Sequence, residues 1–554
     1  MAAVVISSRL TGARRAALAG LLPADDAVRW VGPAEPLPDL GGVTALLVDG
    51  PVTDRPAGEL DALADAVNRG ARLLALGTAP APGTASAWGA LLGVAGQEPL
   101  PPGEYVVRVD PDDAGIAARL GPDIAVPDRP CLLHVADASA RIVARVGFGA
   151  SPVATEVARG AGWAVASGLG TIDNALAVAD LATLFRRALR PRAGRWPGPS
   201  TLAVIGYGAF GGMGYYHGRA AAATPGLAFV GACDPSAERR KAAEHDFPDV
   251  RAYADPAELA ADGGVDVVVV ATPPVSHTGL VLDMLAAGKH VVCEKPLCLT
   301  LADADRLVAA AEAAGRTLTV HQNRRFDADF LAVRRAVESG ALGEVFNVET
   351  FVGGFAHPCR AWHSEVAVSG GAVYDWGSHH LDWVMELLGG PPRSVHTHGH
   401  KRLWHDVSNL DQIRVRLVWD DGREAEFFQS DLAAVRRPKF FVQGTAGTLV
   451  GHYRPVTLER VEPPFGYTAE LAHHAEAPAD LVLARYEPGA GISTTAVPLP
   501  ATVPFAFHRN LANHLQLGEP LAVSPGSARR LVAVLEAAQR SSDAGNVAVA
   551  LAGV

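Results

Sequence analysis

Apolar runs that stop at Gly, Asp or Pro alternate along much of the chain with segments whose apolar positions recur at helical spacing. "VTALLVDG" (43–50), "ARLLALGT" (71–78) and "GWAVASGLGT" (162–171) are short and apolar on both faces, which predicts buried strands. Between the first two, "GELDALADAVNRG" puts Leu60, Leu63 and Val67 on one helical face, with Gly70 placed to end the helix. After "RRALRPRAGRWPGPS" (186–200) the alternation restarts with "TLAVIGYG", "LAFVGACDPS", "VDVVVVATPP" and "KHVVCEKPL", separated by helical segments such as "HTGLVLDMLAAGKH". Continuous apolar strands joined by helices predict a parallel sheet covered on both faces. From about residue 326 the pattern changes to longer alternating strands, "EVFNVETFVGGF", "QIRVRLVWDD" and "REAEFFQSD", with a helix over "SARRLVAVLEAAQRSSDAG". That alternation predicts an α+β domain with a large, mostly antiparallel sheet.

The fold class is therefore α/β with three parts. An N-terminal α/β domain (1–190) is followed by a Pro/Gly/Arg linker (191–200). A central doubly wound, Rossmann-type domain (201–325) precedes a C-terminal α+β domain (326–554). Charge narrows the partners: 48 basic against 59 acidic side chains give a net of -11, which excludes a nucleic-acid or anionic-membrane surface. The five cysteines form no CxxC pair, so reduced thiols in the cytoplasm are expected. Neither a signal peptide nor the roughly 18 consecutive apolar residues of a membrane span is found.

Candidate chemistry begins at "VIGYGAFGGMG". Gly206, Gly208 and Gly211 satisfy GxGxxG between a strand and a helix, with Ala209 and Phe210 inside the loop. The first glycine permits the turn, the second lets backbone approach a pyrophosphate, and the third packs helix on strand. Asp234 ends the next strand, where a carboxylate accepts from a ribose 2′-hydroxyl, so NAD is expected over NADP. Arg239 and Arg240, close behind, keep a 2′-phosphate in view. Thr272, Pro273 and His277 follow the next strand, and Glu294 and Lys295 the one after. Pro296 holds Lys295 extended at the carboxyl edge of the sheet, the ligand edge of such folds. His277 reads equally well as a packing residue.

In "SGGAVYDWGSHHLDW", Asp375, His379 and Asp382 fall at i, i+4 and i+7. On one helix face the histidine would be flanked by two carboxylates, an arrangement suited to a general base. No metal site is expected, there being no HExxH-like context. His396, His398 and His400 share one strand face, read as solvated or lining a pocket.

These motifs give residues 200–554 a resemblance to the Gfo/Idh/MocA oxidoreductases. It runs through "VIGYGAFGGMGYYHG", "ACDPS", "VATPPVSHTGLVLDMLAAGKHVVCEKPL", "RRFDADF", "GALGEV", "GGAVYDWGSHHLDW", "VQGTAGTL" and "NHLQLGEPLAVSPGSARRLVAVLEAAQRSSDAG". The resemblance implies hydride transfer between NAD and a secondary hydroxyl of a sugar, cyclitol or glycoside, C3 of a glycoside included. Lys295 would contact the substrate hydroxyl and the nicotinamide ribose, His379 would carry the proton, and Asp375 would position one of them. Gln322, Asn323 and Arg324 in "HQNRRF", with Arg360 and Trp362 in "CRAWHSE", are candidate substrate contacts. The family often has Asn where Pro274 stands. Homo-oligomerisation through the C-terminal sheet is also implied.

The first 190 residues are similar to flavodoxin-like domains of the ThuA and class I amidotransferase type. Gly77-Thr78-Ala79 stands where the nucleophilic cysteine belongs and Gly170-Thr171 where Gly-His is usual, so no amidotransferase activity is expected. Two rival readings share the same motifs. One is a glycoside-cleaving enzyme that transiently reduces a bound NAD; the other is a non-catalytic sensor of dinucleotide or sugar.

Overall fold

The computed structural model describes the chain apart from residues 1, 10, 23–26, 53–54, 81–85, 111–115, 118–119, 121–122, 148, 177, 191–197, 209–211, 359–360, 456–476, 501 and 552–554. Ala209, Phe210, Gly211 and Arg360, and most of the expected linker, lie outside the described residues. The chain divides into two compact units, Met1–Trp196 and Pro197–Val554.

The first unit holds β1 (Ala2–Ser7), β2 (Ala27–Val31), β3 (Val43–Asp49), β4 (Arg72–Leu76), β5 (Val94–Pro99), β6 (Gly103–Val109), β7 (Asp123–Asp128), β8 (Cys131–Val135), β9 (Arg141–Val146), β10 (Ser151–Arg159) and β11 (Gly162–Ser167). Nine of them form one sheet in the order β2-β1-β3-β4-β11-β10-β9-β6-β7. The first five are parallel and the rest antiparallel. Strands β5 and β8 pair separately. Apolar residues on both faces of the parallel strands feed two cores, one on each side of the sheet. Helix Ala57–Asn68 covers one side through Leu63, Ala66 and Val67, and ends before Gly70, whose φ of 124° suits glycine. At the carboxyl ends of β1 and β3, buried Asp49 takes hydrogen bonds from Ser7, Arg9 and Arg14.

The second unit opens with β12 (Ser200–Ile205), β13 (Leu227–Cys233), β14 (Arg251–Tyr253), β15 (Val267–Val270), β16 (His290–Cys293) and β17 (Leu318–Val320). They form a parallel sheet in the order β14-β13-β12-β15-β16-β17. The order reverses at β12, which makes the crevice outside β12 and β15 a topological switch point. Register then sets the edge. Cys233, Ile205, Val270, Cys293 and Val320 pair in one row, so Asp234, Gly206, Ala271, Glu294 and His321 leave the sheet side by side.

The remaining strands are β18 (Val345–Gly353), β19 (Ser394–His400), β20 (Gln412–Val418), β21 (Glu424–Ser430), β22 (Phe440–Gly444), β23 (Gly447–Tyr453), β24 (Ala479–Glu487), β25 (Gly491–Val497) and β26 (Val549–Ala550). They form a nine-stranded sheet, β25-β24-β23-β22-β18-β21-β20-β19-β26, antiparallel except for β18 against β21. Alternation holds: in β20, Ile413, Val415 and Leu417 face the core while Arg414 and Arg416 face out. Helices Gly377–Leu388 and Pro525–Asp543 cover the inner face.

One division is less linear than the sequence reading expects. Helix Ala506–Leu517 turns back onto the parallel sheet, where Phe507, Leu511 and Ala512 join its core. Helix Pro525–Asp543 serves both cores, with Ala528 and Val532 in one and Leu531, Val534 and Leu535 in the other. A helix apolar over much of its circumference belongs between two layers. Among the described residues no helix is long and apolar enough to cross a membrane.

Candidate active site

The row of strand ends builds the site. Gly206 has φ of 100°, and a Cβ there would lie 2.6 Å from the Ala271 carbonyl oxygen, so only glycine fits. A Cβ at Gly208 would meet nothing within 4 Å, which leaves its backbone open to a ligand. A close helix-to-strand approach is made at Gly214, whose Cβ would sit 2.6 Å from the Gly206 oxygen. Asp234 is buried, its two carboxylate oxygens accepting from the N–H groups of Tyr207 and Ser236, each at 2.9 Å. Arg240 donates to the Asp234 and Pro235 carbonyls, and Arg239 pairs with Glu238.

Ser276 donates to the Thr272 hydroxyl at 2.7 Å within the turn that follows Pro273. His277 is fully buried, with Nδ1 2.8 Å from the Pro296 oxygen and Nε2 2.8 Å from the Thr272 oxygen. It braces the two loops against each other, the packing role its sequence context allowed. Burial pushes its pKa down.

Lys295 Nζ donates to Asp375 Oδ1 at 2.7 Å, both side chains keeping a fifth to a quarter of their surface exposed (20% and 27%). Burial would raise the Asp375 pKa, but Lys295, His363 and Arg324 outweigh it and hold the carboxyl below its usual range. His379 is buried, and its Nδ1 has no hydrogen-bond partner among the described residues. Burial first, then the charges of Lys295 and Arg324, drive its pKa well below the ordinary imidazole value. The site thus holds a lysine aimed by a carboxylate and an imidazole that burial and nearby cations keep neutral.

The expected carboxylate–His379–carboxylate face does not form. Trp376, between helices Ala372–Asp375 and Gly377–Leu388, keeps a right-handed helical backbone (φ −71°, ψ −30°), so the spacing holds and ion pairs take the two carboxylates away from His379. Asp375 turns to Lys295, and buried Asp382 makes a two-pronged pair with Arg325 at 2.7 and 2.6 Å.

Around this centre, Gln322 donates to the Ser378 carbonyl at 3.1 Å and Asn323 opens the short turn Asn323–Phe326. The Arg324 guanidinium lies 4.9 Å from the centre of the Trp376 ring and 3.4 Å from Asp327. Trp362 stacks on His363 at 3.6 Å, and burial takes the His363 pKa down to about 4. Two groups escape the sequence reading. His363, although next to Trp362, carries no motif, and Asp431 is placed by the pairing of β21 with β18 and β20 just before it. Burial, with Asp375 and Asp411 nearby, pushes Asp431 up to about 7. Glu294 turns its carboxylate to His217 and His321 and accepts from the Lys295 N–H. His396 and His398 lie on the outward face of β19.

Comparison with known proteins bears on this geometry. Residues 201–322 match the model of an oxidoreductase family with an NAD-binding Rossmann fold, and residues 330–450 match a GFO/IDH/MocA C-terminal domain. The uncharacterised oxidoreductase YdgJ of Escherichia coli is 31% identical over 264 residues, 47% of this chain and 73% of that protein. An uncharacterised oxidoreductase of Schizosaccharomyces pombe is 36% identical over 210 residues, 37% of this chain. The chain spans 57% and 40% of the lengths of two such S. pombe proteins. IolW of Bacillus subtilis, named as an NADP(+) scyllo-inositol 2-dehydrogenase, is 24% identical over 311 residues, 55% of this chain and 84% of that one. Among solved structures, an NAD-binding protein from Listeria innocua has a TM-score of 0.53 at 27% identity, covering 64% of this chain and all of that one.

Proposed function

The chain belongs to the GFO/IDH/MocA family of oxidoreductases, and from that premise we propose that it is a nicotinamide-dependent dehydrogenase acting on a secondary hydroxyl of a cyclitol, sugar or glycoside. One observation carries the reading: Lys295, paired with Asp375 at 2.7 Å, stands at the switch-point edge beside the buried imidazole of His379. The dinucleotide would lie across Gly206 and Gly208 at the start of helix Met213–Ala223, with Asp234 toward its ribose. Bound nicotinamide supplies the hydride acceptor; the rest is the work of the protein. His379, neutral at rest, accepts the hydroxyl proton as the C–H bond breaks. Lys295 donates to the oxygen on which negative charge develops, and Asp375 keeps the ammonium aimed there.

NAD is the proposed cofactor, on the grounds that the Asp234 carboxylate repels a 2′-phosphate; Arg239 and Arg240 beside it are what would admit NADP. The first unit is proposed to be a flavodoxin-like domain of the ThuA and amidotransferase type without its nucleophile. Its parallel strands follow the order of such folds, and glycines occupy the strand ends where catalytic groups would sit. The outward face of the nine-stranded sheet is the proposed surface for homo-oligomer formation, in the cytoplasm.

The test is near-ultraviolet absorbance of the reduced nicotinamide after NAD or NADP is added with a panel of inositols, sugars and glycosides. Net reduction with one substrate class, lost in Lys295→Ala while dinucleotide still binds, is expected. Dinucleotide binding without reduction on any of them would overturn the reading in favour of a sensor.

A further inference from the structure

Three histidines far apart in the sequence meet behind the catalytic edge. His217 lies in helix Met213–Ala223, His321 follows β17, and His508 lies in helix Ala506–Leu517. All three are at most 1% exposed. One ring nitrogen from each lies within 4.8 Å of the others. No spacing rule could assemble them, which is why a sequence free of metal motifs still contains the cluster.

The hydrogen bonds assign the ring nitrogens. Glu294 Oε1 lies 2.9 Å from His217 Nε2 and 2.8 Å from His321 Nδ1. A carboxylate only accepts, so both of those nitrogens carry the proton. Their other nitrogens, His217 Nδ1 and His321 Nε2, are then bare lone pairs. His217 Nδ1 accepts from His508 Nε2 at 2.9 Å. Without metal, His508 therefore carries its proton on Nε2, and shifts it to its Nδ1 in order to ligate. His508 Nδ1 and His321 Nε2 are both buried with no hydrogen-bond partner among the described residues. A histidine that ligates a metal characteristically gives its second N–H to a carboxylate, which fixes the tautomer and raises the basicity of the ligating nitrogen. Here one carboxylate does this for two rings at once.

We propose that His217, His321 and His508 form a buried binding site for a divalent first-row transition metal of the zinc type, with Glu294 as the carboxylate that orients two of the ligands. Imidazole nitrogen suits zinc, cobalt and nickel, whereas magnesium and calcium take oxygen. Zinc–nitrogen bonds of 2.0–2.1 Å in a tetrahedron put ligand atoms about 3.3 Å apart. The ligand atoms already lie near that separation: one contact is 2.9 Å and would open slightly, and all lie within 4.8 Å of one another. Tyr216 and Phe507 pack against the rings at 4.8–5.9 Å, with Phe505 at 6.3 Å, and supply an apolar shell. The consequence is structural and local. A metal here would staple helix Ala506–Leu517 to the parallel sheet, and through Glu294 it would fix the backbone of Lys295, whose N–H the same carboxylate accepts.

The experiment uses the full chain without an affinity tag. After treatment with a chelator, cobalt(II) is added and its visible ligand-field bands are followed, with bound metal counted by elemental analysis. One cobalt per chain with the intense bands of a tetrahedral nitrogen site is expected, together with a raised Tm. Both effects should weaken more than about tenfold in apparent affinity in His508→Phe and in His321→Phe, which keep an aromatic ring in place. His398→Ala, on the outward face of β19, should leave them unchanged and so separates this cluster from surface binding. No uptake by the folded parent chain, or uptake indifferent to His321→Phe and His508→Phe, would overturn the proposal. The cluster would then be a hydrogen-bonded brace. None of these readings depends on turnover, so the dehydrogenase assignment stands or falls separately.

Discussion

Lys295 and His379 do different work because their surroundings differ. The lysine keeps a fifth of its surface exposed and is held by a carboxylate at 2.7 Å. The histidine is buried against cations, which favours its neutral form. The sign of the pH effect follows. A base that acts neutral is lost only when it is protonated, and His379 takes up a proton well below the ordinary value of 6.5. The rate of alcohol oxidation should therefore stay flat across the range in which an exposed histidine titrates, and fall only at more acidic pH. Asp375, also held below its usual range, adds no acid limb above His379's own ordinary value. The check is kcat/KM against pH with the oxidisable substrate, with His379→Asn removing the pH-dependent component. An acid limb centred near 6.5 that survives in Asp431→Asn would mean that the imidazole is solvated during turnover.

At the scale of elements, most of the parallel sheet was legible because buried strands are continuous apolar runs bounded by glycine, proline or aspartate. "TLAVIGYG", "VDVVVVATPP" and "KHVVCEKPL" each end where the pattern predicts, and the glycine turn, Asp234 and Lys295 emerge at the same edge. Period counting put Asp382 one turn from His379 in the same helix, but it could not show that buried Arg325 takes up its carboxylate. The position of Asp382 carries a prediction of its own. Its partner Arg325 is buried, and Asp382→Asn removes the charge that compensates it. Truncating one side of a buried pair costs about 3–5 kcal/mol. The cost here should sit near 3 kcal/mol, because Glu386 at 3.2 Å and the Ala522 oxygen at 2.7 Å remain in place. Urea unfolding should show that loss with kcat close to that of the parent chain. A drop in kcat without loss of stability would restore Asp382 to the catalytic base.

For the whole molecule, contacts between distant segments are what the sequence conceals. Asp431, the histidine cluster and the return of helix Ala506–Leu517 to the parallel sheet all join residues with no shared periodicity. The division into two units is different, because each has its own apolar interior. Two clusters sandwich the nine-stranded sheet of Met1–Trp196, and two others fill Pro197–Val554. Every residue placed at the candidate active site lies in the second unit. A domain with its own core can fold alone. The fragment Gly198–Val554 should therefore be monodisperse, unfold cooperatively in urea and bind dinucleotide as the full chain does. Comparing the two by calorimetric titration and by turnover on the same substrate then isolates the contribution of the first unit. Equal turnover would make that unit dispensable for chemistry. A folded, dinucleotide-binding fragment that loses turnover on a large glycoside but keeps it on a free cyclitol would place the first unit in substrate selection. A fragment that fails to fold would show that the two interiors are not independent, and would overturn the division itself.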